Sequence, residues 1–433
     1  MRSADQVAHR RRWQGCIAAL AAASLVAAGC GGDDDEPAAD AATGDEVTTV
    51  APSDAATAAA DTTAADATDS STATDDGAAP SGEPIKVGVI SSYTGNFGIY
   101  GDPMELAMQL SLESGGNAAG DRPIEVVYED DATDPGVAVQ KATKLVEDGV
   151  SVVVCCVNAG STFAVAPVLA DAGIPQITPI ANPLGLQDNP NSFVAAPSVD
   201  YDAERLGTYA AETLGHETAV VLGMDMAYGQ AVAGAFTKGF TDAGGEVVET
   251  IYPPFGTQDF GSYLAEIPDA DVVFGGFAGA DGIAFIQQYD QFGLKAKTPL
   301  IAHGPLVTEL LLQAEGPSSE GITAAFYYSS QLDNAENERF KTALGAANPA
   351  LPPSHFTAGA WATGSILLSA LAAADDANDG DSVREALAAS SVETPWGPMT
   401  FDAETGYVFG PTFIYTVVQD GDALRHEVQA TIE

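Results

Sequence analysis

Basic side chains are scarce in this chain: 16 Lys and Arg stand against 61 Asp and Glu, for a formal net charge of −45. Such a surface repels phosphate backbones and anionic headgroups, so nucleic acid is excluded as a partner and the charge reads as an adaptation for solubility or salt. Cysteine is rarer still, with four residues, and no disulfide framework can hold the fold. Among the five histidines, His216 and His426 each precede a Glu, but neither has a second His four residues on. The zinc-protease helix is therefore missing, as are a Gly-x-Ser-x-Gly elbow and a Cys-x-x-Cys pair. His216 and His426 read as surface polar residues, and no catalytic group, metal or cofactor is expected.

A short apolar run stands near the start of the chain. Arg10, Arg11 and Arg12 precede an apolar stretch from Cys16 to Ala28, which ends in Val26, Ala27, Ala28, Gly29 and Cys30. That order is a basic region, a short apolar region and a small-residue cleavage site. The apolar stretch is too short for a permanent span. Residues 1–29 are expected to be a signal peptide and Cys30 the lipidated first residue of an exported chain; plain cleavage that leaves Cys30 a thiol is the alternative, since Ala27 stands where such signals carry Leu. From Gly31 to Glu83 no Lys, Arg or aromatic residue occurs. A stretch of Ala, Asp, Thr, Ser and Gly cannot offset its ordering entropy, and its charges keep it extended. Residues 30–83 thus read as a lipid-anchored acidic tether, and residues 84–433 as two lobes.

From Ile85 onward, short apolar runs alternate with amphipathic segments of helix length, the pattern of parallel strands with crossover helices. Strands are expected at Ile85 to Ile90, Ile124 to Tyr128, Ser151 to Cys155 and Pro175 to Thr178, with helices between them; Asp134 and Pro135 cap one and Gly149 stops it. The alternation restarts after Pro197, giving strands at Ala219 to Leu222, Glu246 to Ile251, Asp271 to Phe274, Leu300 to Ala302 and Ile322 to Tyr327. Two doubly wound α/β sheets follow. The later helices, Ala335 to Ala346, Phe356 to Ala373 and Val383 to Ala389, must return to the first sheet. Strands around Tyr407 and at Phe413 to Gln419 need a sheet edge.

Ligands of open parallel sheets gather beyond the carboxyl ends of the strands. The loop Ser91 to Asp102 carries Gly95, Gly98 and Gly101 with Tyr93, Phe97 and Tyr100 between them. Its glycine spacing of three and three is not that of a dinucleotide fingerprint, and aromatic rings would obstruct a pyrophosphate, so the loop reads as a cover for a small solute. Val157 to Thr162 runs into a helix whose first N–H groups could cradle a carboxylate or carbonyl, or be capped simply by Ser161. Cys155 and Cys156 close the strand before it. They either form a vicinal disulfide, which would persist outside the cytoplasm, or remain two small buried thiols.

The stretch Ile85 to Ile90 through Tyr100, Gly101 and Asp102, then Glu129 to Pro135, Gly173 to Pro175 and Ile177 to Pro179, resembles the leucine/isoleucine/valine-binding protein family. These are solute receptors of ABC importers with the type I periplasmic binding protein fold, and the resemblance spans Pro84 to Gln419. It implies two lobes joined by three crossings, here near Pro197 to Val199, Phe326 to Tyr328 and Asp402 to Gly406. Lobe 1 would comprise 84–198 and 328–404, and lobe 2 would comprise 199–327 and 405–433.

By position, the resemblance implies ligand contacts from Tyr100, from Asn158, Ala159, Gly160 and Ser161, and from Ala181 and Asn182 in the first lobe; the aromatic loop itself adds Tyr93 as an expected contact. From the second it implies Tyr228 and Phe277, and His303, at a strand end, is expected to touch the ligand as well. Two departures matter. Ala159 stands where amino-acid receptors place a Ser for the ligand carboxylate, and His303 with Gly304 stands where they place an acid for the ammonium. A buried ammonium without a carboxylate is costly, so a plain α-amino acid fits poorly unless Asp225 serves as counter-charge. A neutral amide, an amine-free carboxylate or an aromatic solute fits better. The implied protein is a monomeric extracytoplasmic receptor that closes on a small solute and hands it to a membrane ABC permease; a ligand-sensing subunit of a signalling receptor would need only the same closure.

Overall fold

The computed structural model describes residues 80–433. The expected signal peptide, Cys30 and nearly all of the acidic tether lie outside the described residues.

The chain begins with β1 (Ile85–Ser91) and α1 (Gly101–Ser114), and a short β2 (Ala118–Ala119) turns back on β3 (Arg122–Asp130). Next come α2 (Pro135–Glu147), β4 (Val152–Cys155), α3 (Ala159–Asp171), β5 (Gln176–Thr178) and β6 (Ser192–Pro197). Asp134 caps α2 as its residue type demands: Oδ1 accepts from Gly136 N at 2.7 Å and Val137 N at 3.0 Å. After the first crossing, α4 (Val199–Glu212) leads to β7 (Thr218–Gly223), α5 (Ala227–Asp242), β8 (Glu246–Ile251), α6 (Gly261–Ala265), β9 (Val272–Gly276), α7 (Gly279–Gln291), β10 (Leu300–His303), α8 (Glu309–Glu315) and β11 (Thr323–Phe326). A second crossing gives α9 (Ala335–Ala347), α10 (His355–Ala373), α11 (Gly380–Ala388) and a hairpin of β12 (Ser391–Thr394) and β13 (Gly397–Thr400). The chain ends with β14 (Tyr407–Val408), β15 (Thr412–Asp420) and β16 (Ala423–Ile432).

Two seven-stranded sheets result, ordered β14-β6-β5-β4-β1-β3-β2 and β16-β15-β11-β10-β9-β7-β8. Their central strands are parallel, and β15 and β16 extend the second sheet antiparallel. Each sheet and its helices form a lobe. α10 packs along α1, as expected of the returning helices. It is apolar all round because it is a core helix, buried along most of its length. Gly359 lets it lie close to the first sheet, where a Cβ would meet the carbonyl oxygen of Pro179 at 2.1 Å.

The structure departs from the sequence reading in several places. β6 was not expected: Ser192 to Pro197 is buried on both faces, so it shows no alternation, and its two alanines carry little strand signal. Tyr407 and Val408 still pair with β6, so the third crossing lies between Val408 and Thr412 rather than at Asp402 to Gly406. β16 adds an edge strand beyond Gln419. His426 is no surface residue: it is 1% exposed, with Nδ1 3.3 Å from the Glu309 carboxylate and Nε2 2.8 Å from the Val307 carbonyl oxygen.

Candidate functional site

The carboxyl ends of both sheets face a cavity between the lobes, with about 460 Å³ of empty space counted out to its mouth. The first lobe contributes Tyr100 from the start of α1, Ala159 from the first turn of α3, Ala181 and Asn182 after β5, and His355 with Phe356 from the first turn of α10. The second contributes Tyr228 from α5, Ala278 after β9, Pro305 after β10 and Phe326 at the end of β11. No charged side chain lines it among the described residues.

The lobes meet at its rim. Tyr100 Oη accepts the N–H of Gly279 at 2.8 Å, and Phe97 packs on Phe255 with ring centroids 5.4 Å apart. Gly279 has φ +64°, and a Cβ there would lie 2.7 Å from the Asn96 carbonyl oxygen and 2.8 Å from the Phe97 ring. Glycine is therefore required both by the turn and by the approach of the first lobe. Tyr100 stacks on Phe356, centroids 3.8 Å apart. The loop after β5 is held from far along the chain by the Tyr407 hydroxyl, which donates to the Pro183 carbonyl at 2.7 Å.

The buried polar atoms at or behind the walls that have no partner include Asn182 Oδ1, His355 Nε2 and His303 Nε2. His303 lies just behind the lining, with Nδ1 2.9 Å from Tyr228 Oη and its ring edge-on to Phe326. Burial lowers its pKa to about 3 and pushes that of His355 well below the usual histidine range, so both imidazoles are neutral. The first turn of α3 supplies oriented backbone N–H groups beside Ala159, and the Ser161 hydroxyl within it is buried and unpartnered.

Of the residues expected here, Tyr100, Ala159, Ala181, Asn182 and Tyr228 converge on the cavity. Others do not line it. Asn158, not Ser161, caps α3: its Oδ1 accepts from Gly160 N and its Nδ2 donates to the Thr133 carbonyl, so its polar atoms are used and Gly160 is held in the cap. Asp225 is exposed and accepts from Gln230, too far outside to face a buried ammonium. Phe277 belongs to the second lobe's core, stacked on Phe285 with centroids 4.4 Å apart; its neighbour Ala278 reaches the cavity instead. Tyr93 turns away, its hydroxyl donating to Glu105 at 2.7 Å. Cys155 and Cys156 are buried behind the loop, with their sulfurs bonded to each other.

His355 and Phe356 were missed, as was Phe326. The signal available was the Ser354-x-x-Thr357 capping box, which marks where α10 starts and hence which residues lie at its tip.

The chain matches the periplasmic binding protein family model over residues 84–422. It is 28% identical over 81% of its length to the Leu/Ile/Val-binding protein homolog 6 of Brucella melitensis, covering 93% of that protein. It is 30% identical over 80% of its length to the leucine-, isoleucine-, valine-, threonine- and alanine-binding protein of Pseudomonas aeruginosa, again covering 93%. Among solved structures, a solute-binding protein of an ABC transporter from R. palustris, in complex with benzoate, superimposes with a TM-score of 0.74 at 28% identity, over 80% of this chain and 96% of that one. On this fold, this interlobe cavity and these matches, the chain belongs to the periplasmic binding protein family, as a type I, Leu/Ile/Val-binding-protein-like solute receptor of the ABC-transporter kind.

Proposed function

We propose that this protein captures a small carboxylate with an apolar or aromatic body and no ammonium group, and delivers it to the permease of an ABC importer. One observation carries the reading: the cavity is lined by rings and aliphatic side chains and by no carboxylate. A buried ammonium would stand unpaired there, at a cost of several kcal/mol. A carboxylate instead finds donors, namely the first-turn N–H groups of α3 and the neutral imidazole of His355. Asn182 Oδ1 is left to accept from a hydroxyl on the solute body. The benzoate complex of the R. palustris relative supports the same class.

Solute would dock on the first lobe through Ala159, Ala181, Asn182 and His355, and closure would bring Tyr228 and Phe326 against it. The Tyr100–Gly279 bond forms only with the lobes together, so solute shifts the population toward the closed form that a permease recognises. A lipid on Cys30 and the tether of residues 30–83 would hold the receptor outside the cytoplasm within reach of that permease. Mass spectrometry of the mature N-terminus tests the anchor.

A thermal-shift screen of the protein against benzoates, other carboxylates, amides and branched-chain amino acids tests the solute class. A solute at a hundredfold over its dissociation constant adds about 2.7 kcal/mol of stability. A shift with leucine, isoleucine or valine and none with amine-free acids would refute the reading.

A further inference from the structure

β10 is buried along its whole length and ends in His303. Burial keeps this imidazole neutral, so it has one N–H to give and one lone pair to offer. Nδ1 lies 2.9 Å from Tyr228 Oη, and Nε2 meets no hydrogen-bond partner among the described residues. Where the single proton sits decides what Tyr228 can present to the cavity.

With the proton on Nε2, a buried N–H would stand unpaired, and Tyr228 would spend its own proton on Nδ1. With the proton on Nδ1, only a lone pair stands unpaired at Nε2, and Nδ1–H donates to Tyr228 Oη. Buried N–H groups are seldom left orphaned, and acceptors are left so more often. The second arrangement is the one the surroundings favour, and it leaves the Tyr228 hydroxyl proton unspent. His303 and Tyr228 both belong to the second lobe, on β10 and α5, so their pairing does not wait for closure.

The start of α3 stands across the cleft. α3 and α5 approach each other there, and each borders the cavity by its first turn, at Ala159 and Tyr228. Met226 gives α5 no side-chain cap, so the positive ends of two helices, one from each lobe, face the same space.

Resting on the reading of the interlobe cavity as a carboxylate site, we infer that His303 is a positioning residue: by donating from Nδ1 it sets the Tyr228 hydroxyl as a donor to the solute carboxylate, which is then held by α3 of the first lobe and by Tyr228 of the second. A bond to the charged group is stronger than one between neutral partners, and this one exists only with the lobes together. It therefore ties solute affinity to closure.

The test joins nitrogen NMR and calorimetry on the full chain with benzoate. In the histidine-labelled, benzoate-bound protein, the imidazole whose signals Tyr228→Phe displaces should carry its proton on Nδ1 and none on Nε2. Tyr228→Phe should weaken benzoate by about tenfold or more. His303→Leu should weaken it by a smaller factor, and the double variant should be no weaker than Tyr228→Phe alone, because His303 acts through Tyr228. The NMR signature and Tyr228→Phe keep the test open if His303→Leu fails to fold. A proton on Nε2, parental affinity in Tyr228→Phe, or additive losses in the double variant would overturn the positioning role and leave the carboxylate reading standing. A parent that binds neither benzoate nor any other amine-free acid would overturn both.

Discussion

The phenolic oxygen of Tyr100, in the first lobe, accepts the backbone N–H of Gly279, in the second, at 2.8 Å. Both residues are buried, and no water can replace either partner while the lobes are together. The bond can exist only while the two lobes are together.

Tyr100→Phe keeps the stack on Phe356 and removes the acceptor. The Gly279 N–H is then buried without a partner, which costs about 1–3 kcal/mol. Solute affinity should fall by about tenfold or more, with little change in the melting temperature of the solute-free protein. Titration calorimetry and a thermal melt on the same sample separate the two, and parental affinity in the variant would contradict the latch.

Gly279→Val places a branched side chain at φ +64° and against Asn96 and Phe97. The lobes should then be held apart, and small-angle scattering should give an expanded particle even with solute in excess. A variant as compact as its parent would show that the approach at this glycine does not limit closure.

Cys155 and Cys156 should be joined as a vicinal disulfide in the protein isolated from cells. The peptide that carries both should be lighter by two hydrogens than its reduced form, without any partner peptide. Finding it fully reduced in protein isolated under alkylating conditions would refute the pairing.

Asp202 lies at the third crossing, 0% exposed, with Oδ1 accepting from Thr412 and Oδ2 unpartnered. Burial pushes its pKa up to about 7, against the pull of Thr412 and Arg205. Unfolded, the group titrates near about 3.9. The folded chain therefore holds a proton that the unfolded chain has lost, and stability falls as pH rises from about 4 to about 7. Asp202→Asn should flatten that slope, leaving the variant more stable relative to its parent at pH 8 than at pH 4. Denaturant unfolding at both pH values measures the difference, and equal differences would refute the shift.

Much of the site was legible because local features announce it. The alternating α/β pattern points to the strand-end loops, and the family resemblance implied which of their residues, Tyr100, Ala159, Asn182 and Tyr228, would meet there. The departures at Ala159 and His303 were legible too, since each is a missing charge or hydroxyl. Phe277 could not be told from Ala278 in that way, because one residue of register at the end of β9 decides which side chain enters the core and which faces the cavity. Asn158 and Ser161 were exchanged in role for a similar reason: a cap is set by which residue leaves helical geometry, and both residue types can serve.

By itself, then, the sequence determined the two doubly wound sheets, since the alternation of strand and helix patterns is a local property. Tertiary structure alone decided that the tip of the returning α10 places His355 and Phe356 in the cavity, that Tyr407 pins the loop of Asn182, and that Gly279 meets Tyr100 across the lobes. Those contacts join residues far apart in the chain, and only the packing of one sheet's helices against another's brings them together.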